Sequence, residues 1–349
     1  MRLLGVAAEG FRNLREVRLS FGSPVTVFCG ANAQGKTSLL EAVYLLGTTK
    51  SFRENRLEPL IRFGASEARL EGEVRSGGVA HRLQGTLHRK GKRFLLDGRE
   101  VPLAEYLTVL PVVVHCAEDR GIVKGEPRSR RSLLDAAGIL RKPAYLRTVL
   151  EFGKVRAQRG ALLRSPRCRP QELAAWTGPY AELGERVQRE RQEVVETLNG
   201  LLSEMAAELG TGERLRLVYH PSGGGDLPLA LERLRENEMK VGTNLAGPQR
   251  DRVDFLLDGR ALEAYGSSGQ ARTALWMVKL ALVLLGSRRE EDPPLFLVDD
   301  AEAELDERRI GDLLRLTGRR AQVILTTTRE GLLFGGEAEV RRVAEGRVA

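Results

Sequence analysis

Gly30, Gly35, Lys36 and Thr37 stand in the order Gly-x-x-x-x-Gly-Lys-Thr within the stretch CGANAQGKTS, Cys29 to Ser38. Glycines at that spacing let successive backbone N–H groups turn toward an anion, and a following helix adds the partial positive charge of its N-terminus. A lysine there reaches the outer phosphates of a nucleoside triphosphate, and the next hydroxyl is placed to coordinate Mg²⁺. Gly30, Ala31, Asn32, Ala33, Gln34, Gly35, Lys36, Thr37 and Ser38 are therefore the candidate contacts to ATP. An answering group lies far along the chain, where the apolar run Leu295–Val298 ends in Asp299 and Asp300. A buried strand that delivers a carboxylate to a phosphate site completes the Mg²⁺ coordination begun by Thr37, directly or through water. Asp300, one residue on, faces differently and is suited to orient an attacking water.

A third group precedes that strand. Ser267, Ser268, Gly269 and Gln270 open the apolar stretch Ala271–Leu285, which makes a second anion-binding helix N-terminus. One nucleotide does not need two such helices from one chain, unless the second comes from another subunit. Read alone, the same residues make an ordinary serine N-cap after a glycine turn.

The elements that must hold these groups are legible in outline. Val25–Phe28 reads as a buried strand and Lys36–Leu46 as a helix with an apolar face. Residues 1–115 read as β-rich, with alternating runs at Arg69–Val74, His81–His88 and Arg93–Leu96 and a hairpin signal at Asp97-Gly98. The hexapeptide FLLDGR occurs at Phe94–Arg99 and again at Phe255–Arg260, which implies two Asp-Gly hairpins of similar chemistry. Residues 121–240 read as helical. Leu183, Val187, Val194, Leu198, Leu202, Met205 and Leu209 keep helical spacing, and Gly178-Pro179 is expected to break that helix near its start. From 241 the alternation of strands and helices resumes.

Charge adds a partner class. The 349 residues carry a formal net charge of +8. Residues 121–170 alone hold thirteen Lys/Arg against three acids, so the rest of the chain is slightly acidic. A concentrated basic excess suggests a polyanion such as DNA, and a solvated helix face is the plainer explanation. The candidate phosphate contacts are Arg128, Arg130, Arg131, Arg141 and Lys142, with Arg89, Lys90, Lys92 and Arg93 as an alternative on the hairpin. No apolar run approaches the length of a bilayer span, and no basic-then-apolar leader opens the sequence. Cys29, Cys116 and Cys168 are odd in number and lack metal-ligand spacing. These features predict a cytoplasmic protein without structural disulfides or zinc.

Taken in order, these motifs carry a resemblance. Phosphate loop, long insertion, Ser-x-Gly-Gln signature, Asp-Asp strand and Ala303-Glu-Leu-Asp306 resemble the ABC-type ATPase heads of the SMC class. GFRNLREVRLSF, TTKSFR, AEDRGIVKGEPRSRRSLLD, TNLAGPQRDRVDF and TTTR (Thr326–Arg329) extend the resemblance to the RecF family of bacterial DNA replication and repair proteins. The resemblance implies an α/β fold: an ABC-type head with mixed sheets, formed by residues 1–120 and 241–349, and an inserted helical basic lobe at 121–240. It implies ATP sandwiched between the phosphate loop of one subunit and the signature of another in an ATP-dependent homodimer. It also implies binding to double-stranded and gapped DNA, slow DNA-stimulated hydrolysis, and RecR and RecO as partners in loading a recombinase. Matched residue by residue, Lys36, Ser267, Gln270 and Asp300 are the catalytic set, and Thr37 and Asp299 hold the metal. Arg12, Ser267, Ser268 and Gly269 join the nucleotide contacts, Asp306 is the D-loop acid, and Thr327 or Thr328 takes the place of a switch histidine. Two positions depart from the family pattern. Gln249 stands where histidine is usual, and Ala303 replaces the D-loop serine.

Two other uses of the same motifs stay open at this level. The chain would suit the ATPase subunit of a membrane transporter, although the basic insert has no role there. It would also suit a DNA-binding scaffold with a degenerate nucleotide site, although Lys36, Thr37, Asp299 and Asp300 are intact.

Overall fold

Val25–Cys29 (VTVFC) is buried at every residue, as expected for a strand covered on both faces. A computed structural model, which describes residues 1–166, 169–210, 212–287, 293–304, 311–312, 315–316, 321–329 and 338–348, sets this strand within a six-stranded sheet. The order is Arg347–Val348, Ala338–Ala344, Val25–Cys29, Val323–Thr327, Leu295–Val298 and Val112–His115. Only the first pairing in that order is antiparallel. Parallel strands leave their side chains to be covered by other elements, which is why Leu295–Val298 and Val323–Thr327 are also wholly buried.

A second sheet is antiparallel, in the order Glu16–Ser20, Arg2–Glu9, Glu67–Ser76, Val79–His88 and Gly91–Leu96. Its strands alternate. Ala68, Leu70, Gly72 and Val74 turn inward while Arg69, Glu73 and Arg75 face solvent. The helix Lys36–Thr48 packs on strands of both sheets, and ten of its thirteen residues are buried. The shared core includes Leu3, Leu40, Leu46, Leu70, Leu83 and Leu297. Truncating Leu40, which has no exposure, would remove about 2–5 kcal/mol of stability.

These elements form one unit, Met1–Arg120 with Trp276–Ala349, and Gly121–Leu275 forms another. The second unit contains the helices Pro127–Arg141, Tyr145–Arg164, Pro170–Leu209 and Leu227–Val241. It also holds a three-stranded sheet of Leu215–His220, Arg252–Leu257 and Arg260–Ala261. The boundary expected near residue 240 thus falls inside this unit, which takes in GPQRD and the signature. The region expected to be all helical contains the strand Leu215–His220. Arg252–Leu257 completes that pairing from beyond residue 240, a long-range partner that local periodicity does not reveal.

The break expected at Gly178-Pro179 is absent, because Pro170–Leu209 runs as one 40-residue helix with Pro179 inside it. Leu173 before the proline and Tyr180 and Ala181 after it are all buried, so packing on both sides holds the axis. The φ fixed by proline is itself helical. Both copies of FLLDGR form the expected turn. Asp97 and Gly98 have φ of 50° and 77°, and Asp258 and Gly259 have 50° and 80°, the two left-handed residues of a type I′ hairpin. Among the described residues, no helix is long and apolar enough to cross a membrane.

Candidate functional site

The phosphate loop links the central strand Val25–Cys29 to the helix Lys36–Thr48. Gly30 has no room for a side chain, since a Cβ would lie 2.3 Å from the Val343 carbonyl oxygen. Gly35 has φ +110° and caps the helix, a conformation that other residues rarely adopt. Lys36 is buried, with its ammonium resting on the carbonyls of Gly30 (2.7 Å) and Ala31 (2.9 Å). Ala31, Asn32 and Ala33 are exposed. Gln34 instead turns to the Glu345–Gly346 turn, with its side-chain oxygen accepting from the Glu345 N–H (2.6 Å) and its carbonyl from the Gly346 N–H (2.9 Å).

The decisive contact spans 262 residues. Thr37 Oγ1 donates to Asp299 Oδ1 at 3.0 Å, so a hydroxyl and a carboxylate, both oxygen donors of the type hard divalent cations take, lie side by side. Asp299 is buried, and its carboxyl is pushed up to about 6, chiefly by burial and further by Asp300 alongside. A buried carboxylate that resists ionisation is suited to a cation that restores its charge, and the hydroxyl–carboxylate pair is an oxygen donor set of the kind Mg²⁺ prefers.

Asp300 has φ +49° and is held by its N–H on Thr326 Oγ1 at 2.8 Å. The same Thr326 hydroxyl donates to Asp299 Oδ1 at 2.8 Å. Thr326 thereby braces both acids, a role the sequence reading missed. The only signal was its place near the end of the buried strand that pairs beside Val25–Cys29. Burial and the neighbouring Glu302 raise the Asp300 carboxyl above its ordinary value. Thr327 accepts from its own loop, at Arg329 N, and the Thr328 N–H is bound to Glu302.

Two further residues were missed. Asn13 donates to the Ala33 carbonyl (3.1 Å) and accepts from Ser38 (2.8 Å), bracing the loop. Glu41, with no exposure, takes a bidentate pair from Arg12 at 2.9 and 2.7 Å and a bond from Ser51. Arg12 also donates to the Pro59 carbonyl at 3.0 Å. Arg12, Lys36, Thr37, Ser38, Arg53 and Asp300 are among the residues lining one cavity of about 1060 Å³.

The signature lies in the second unit. Ser267, Ser268, Gly269 and Gln270 are all exposed. The Gln270 N–H donates to Ser267 Oγ (3.1 Å), and the Ser267 N–H donates to the Gln270 side chain (2.9 Å). This reciprocal capping box fixes the N-terminus of the helix Ser268–Ser287 while leaving its surface open. Gln249, the departure from histidine, bonds to the Tyr180 hydroxyl (2.8 Å) and the Ala246 carbonyl (3.0 Å). Asp306 lies outside the described residues, as does the side chain of Ala303.

The basic residues divide sharply. Arg130 is withdrawn from the phosphate-contacting set, because it is only 4% exposed. Its guanidinium binds the carbonyls of Ile122, Val123 and Val253 at 3.0 Å each, and Glu263 at 2.8 Å. Arg131 donates to the Asp251 carbonyl (3.0 Å), and Arg141 grips Glu190 and Glu193. Arg128 and Lys142 are exposed.

The model of the family described as "RecF/RecN/SMC N terminal domain" matches residues 2–347. The chain is 36% identical to the DNA replication and repair protein RecF of Synechococcus sp. (strain JA-3-3Ab), over 97% of this chain and 95% of that one. It is 35% identical to RecF of Geobacter sulfurreducens, over 94% and 93%. The chain belongs to the RecF family.

Among solved structures, one titled for the recombination mediator protein RecF with ATP in the RecFOR pathway superposes with a TM-score of 0.90 at 27% identity, covering 99% and 96% of the two chains. An Smc head domain from Pyrococcus furiosus covers 99% and 94% with a TM-score of 0.57 at 16% identity, a likeness of fold alone. The α/β architecture is that of an ABC-type head of the SMC class. Thr37 and Asp299 lie within hydrogen-bonding distance of each other, and Arg130, which the concentrated basic charge offered as a phosphate contact, is buried.

Proposed function

We propose that this chain is an ATP-dependent DNA-binding protein of replication and recombinational repair, with slow DNA-stimulated ATP hydrolysis. The observation that carries the reading is the Thr37–Asp299 bond at the mouth of the phosphate loop. It joins two half-motifs in the one place where both are needed. Gly30 to Ser38 cradle the phosphates, and Lys36 exchanges two carbonyls for them. Thr37 and Asp299 would hold Mg²⁺, which would neutralise charge on the outer phosphates. Asp300, held at a left-handed turn by Thr326, orients the attacking water.

The exposed signature residues Ser267, Ser268, Gly269 and Gln270 serve the nucleotide of a second copy, which makes the homodimer the ATP-bound state. Arg128 and Lys142 contribute to a phosphate-tracking surface for double-stranded and gapped DNA. RecO and RecR act with it in loading a recombinase, and its place is the cytoplasm. The names of the relatives and the ATP-bound neighbour support this reading.

ATP turnover with and without gapped duplex DNA tests it. Stimulation supports the proposal, activity indifferent to DNA favours a transporter subunit, and no turnover favours a degenerate scaffold. The arrangement across two copies is tested by mixing Ser267→Arg with Lys36→Met. Each variant alone should be inactive, and the mixture should regain part of the activity through composite sites. Full activity of Ser267→Arg alone, as a monomer, excludes the arrangement.

A further inference from the structure

Phe63 is wholly exposed, at 102% of its reference area, yet it is not on a loose loop. The Arg12 N–H donates to the Leu60 carbonyl (2.9 Å) and the Arg62 N–H to the Gly10 carbonyl (2.8 Å). Phe11 and Ile61 form an isolated antiparallel bridge, and both are buried. The Ala65 N–H then closes a turn on the Arg62 carbonyl at 2.9 Å, with Phe63 and Gly64 at its tip and Gly64 at φ +84°. A rigid mount thus holds an aromatic ring in water, where it loses the burial that ordinarily justifies its presence.

Phe63 also lines the cavity that contains Lys36 and Thr37, and it is the one aromatic among the described lining residues. Arg62 and Arg89 line the same cavity. A triphosphate seated on the loop leaves its nucleoside in the remainder of that space. This step rests on the nucleotide reading given above.

We infer that Phe63 is the platform on which the base of the bound nucleotide stacks, with Arg62 and Arg89 as flanking cations. A ring offers area and no hydrogen-bond pattern, so the platform favours larger purine surfaces over pyrimidines. It contributes to nucleoside affinity without touching the phosphates.

The test is calorimetric titration of the full chain with ATP, CTP and inorganic tripolyphosphate. Phe63→Ala should weaken ATP about tenfold, narrow the preference of ATP over CTP, and leave tripolyphosphate unchanged. Phe63→Tyr should bind ATP like the parent. Phe63→Trp should show emission quenched by ATP and not by tripolyphosphate. Because the side chain is in solvent, none of these changes threatens the fold. If Phe63→Ala binds ATP as tightly as the parent, the platform is excluded. Loss of DNA affinity in that variant with unchanged ATP binding assigns the ring to a DNA contact instead. A parent chain that binds neither ATP nor tripolyphosphate removes the nucleotide reading itself.

Discussion

The phosphate loop and the basic lobe put their charged residues to opposite uses. In the first unit Lys36, Thr37 and Asp300 line a cavity, with Asp299 bonded to Thr37 beside it, and their hydrogen bonds are of a kind that a ligand can exchange. In the second unit Arg159 is paired with Glu238, at 1% and 0% exposure, and bonds to Asn244 at 2.6 Å. Arg191 bridges Asp135 and Asp251 at 2.9 and 2.8 Å. Gln188 and Tyr219 bond to the same Asp251. A motif specifies a backbone path, so its side chains converge on whatever that path encloses. A count of charges specifies no path, and helices distribute those charges over buried and open faces alike.

The largest expected effect lies in the lobe. Arg159→Met leaves Glu238 buried and uncompensated, which should cost about 3–5 kcal/mol. The double change Arg159→Met with Glu238→Leu should recover most of that loss. Urea unfolding followed through Trp176, with Trp276 replaced, reports on this unit. An unchanged midpoint in the single variant would mean that water reaches Glu238 and the network is not structural.

The opposite pattern is expected at the loop. Lys36→Met should lower ATP turnover on the order of a hundredfold, since it removes a charge aimed at the reacting phosphates. Its unfolding midpoint should stay near the parent value, because the ammonium's hydrogen bonds among the described residues go to two loop carbonyls. Wild-type turnover in this variant would overturn the assignment of the loop.

Alkaline titration probes the lobe again. Burial pushes the Tyr180 hydroxyl up to about 12 from its ordinary value of 10.0. A group that binds its proton more tightly in the folded state stabilises the fold below the unfolded value and loses that contribution as pH rises through the folded one. Stability on the order of 3 kcal/mol at most should therefore disappear between pH 10 and 12. Tyr180→Phe should flatten that part of the pH profile, at the cost of the hydroxyl's bonds to Ala246 and Gln249.

Legibility in the sequence follows the same division. The strand Val25–Cys29, the helix beginning at Lys36, the Asp-Asp strand and both Asp-Gly turns were readable, because each is set by local pattern or turn chemistry. Gly30 was readable as a glycine that must be one, although its neighbour, the Val343 carbonyl, was not. Thr326, Asn13 and Glu41 were missed because their roles depend on elements distant in sequence. Pro179 was misread because a local helix breaker was outweighed by tertiary packing at Leu173, Tyr180 and Ala181. Arg130 was misread because its partners, Val253 and Glu263, arrive from the far side of the lobe's sequence.

The smallest effect separates Arg128 from Arg130, two residues apart on one helix. Arg128 is exposed, so Arg128→Glu should weaken DNA binding alike for all sequences and leave the fold intact. Each neutralised phosphate contributes a slope of about 0.9 in the dependence of log affinity on log salt, so the slope should flatten by about 1. Adding Lys142→Glu should flatten it by about as much again if that exposed lysine also meets a phosphate. Arg130→Gln should do the reverse. It strands the carbonyls of Ile122, Val123 and Val253, so unfolding should become easier while the salt slope of the folded fraction stays put. Filter binding across a salt series, paired with urea curves for each variant, distinguishes the two residues. A salt slope unmoved by both Arg128→Glu and Lys142→Glu would take DNA off this helix and direct the search to Arg89, Lys90, Lys92 and Arg93 on the hairpin of the first unit.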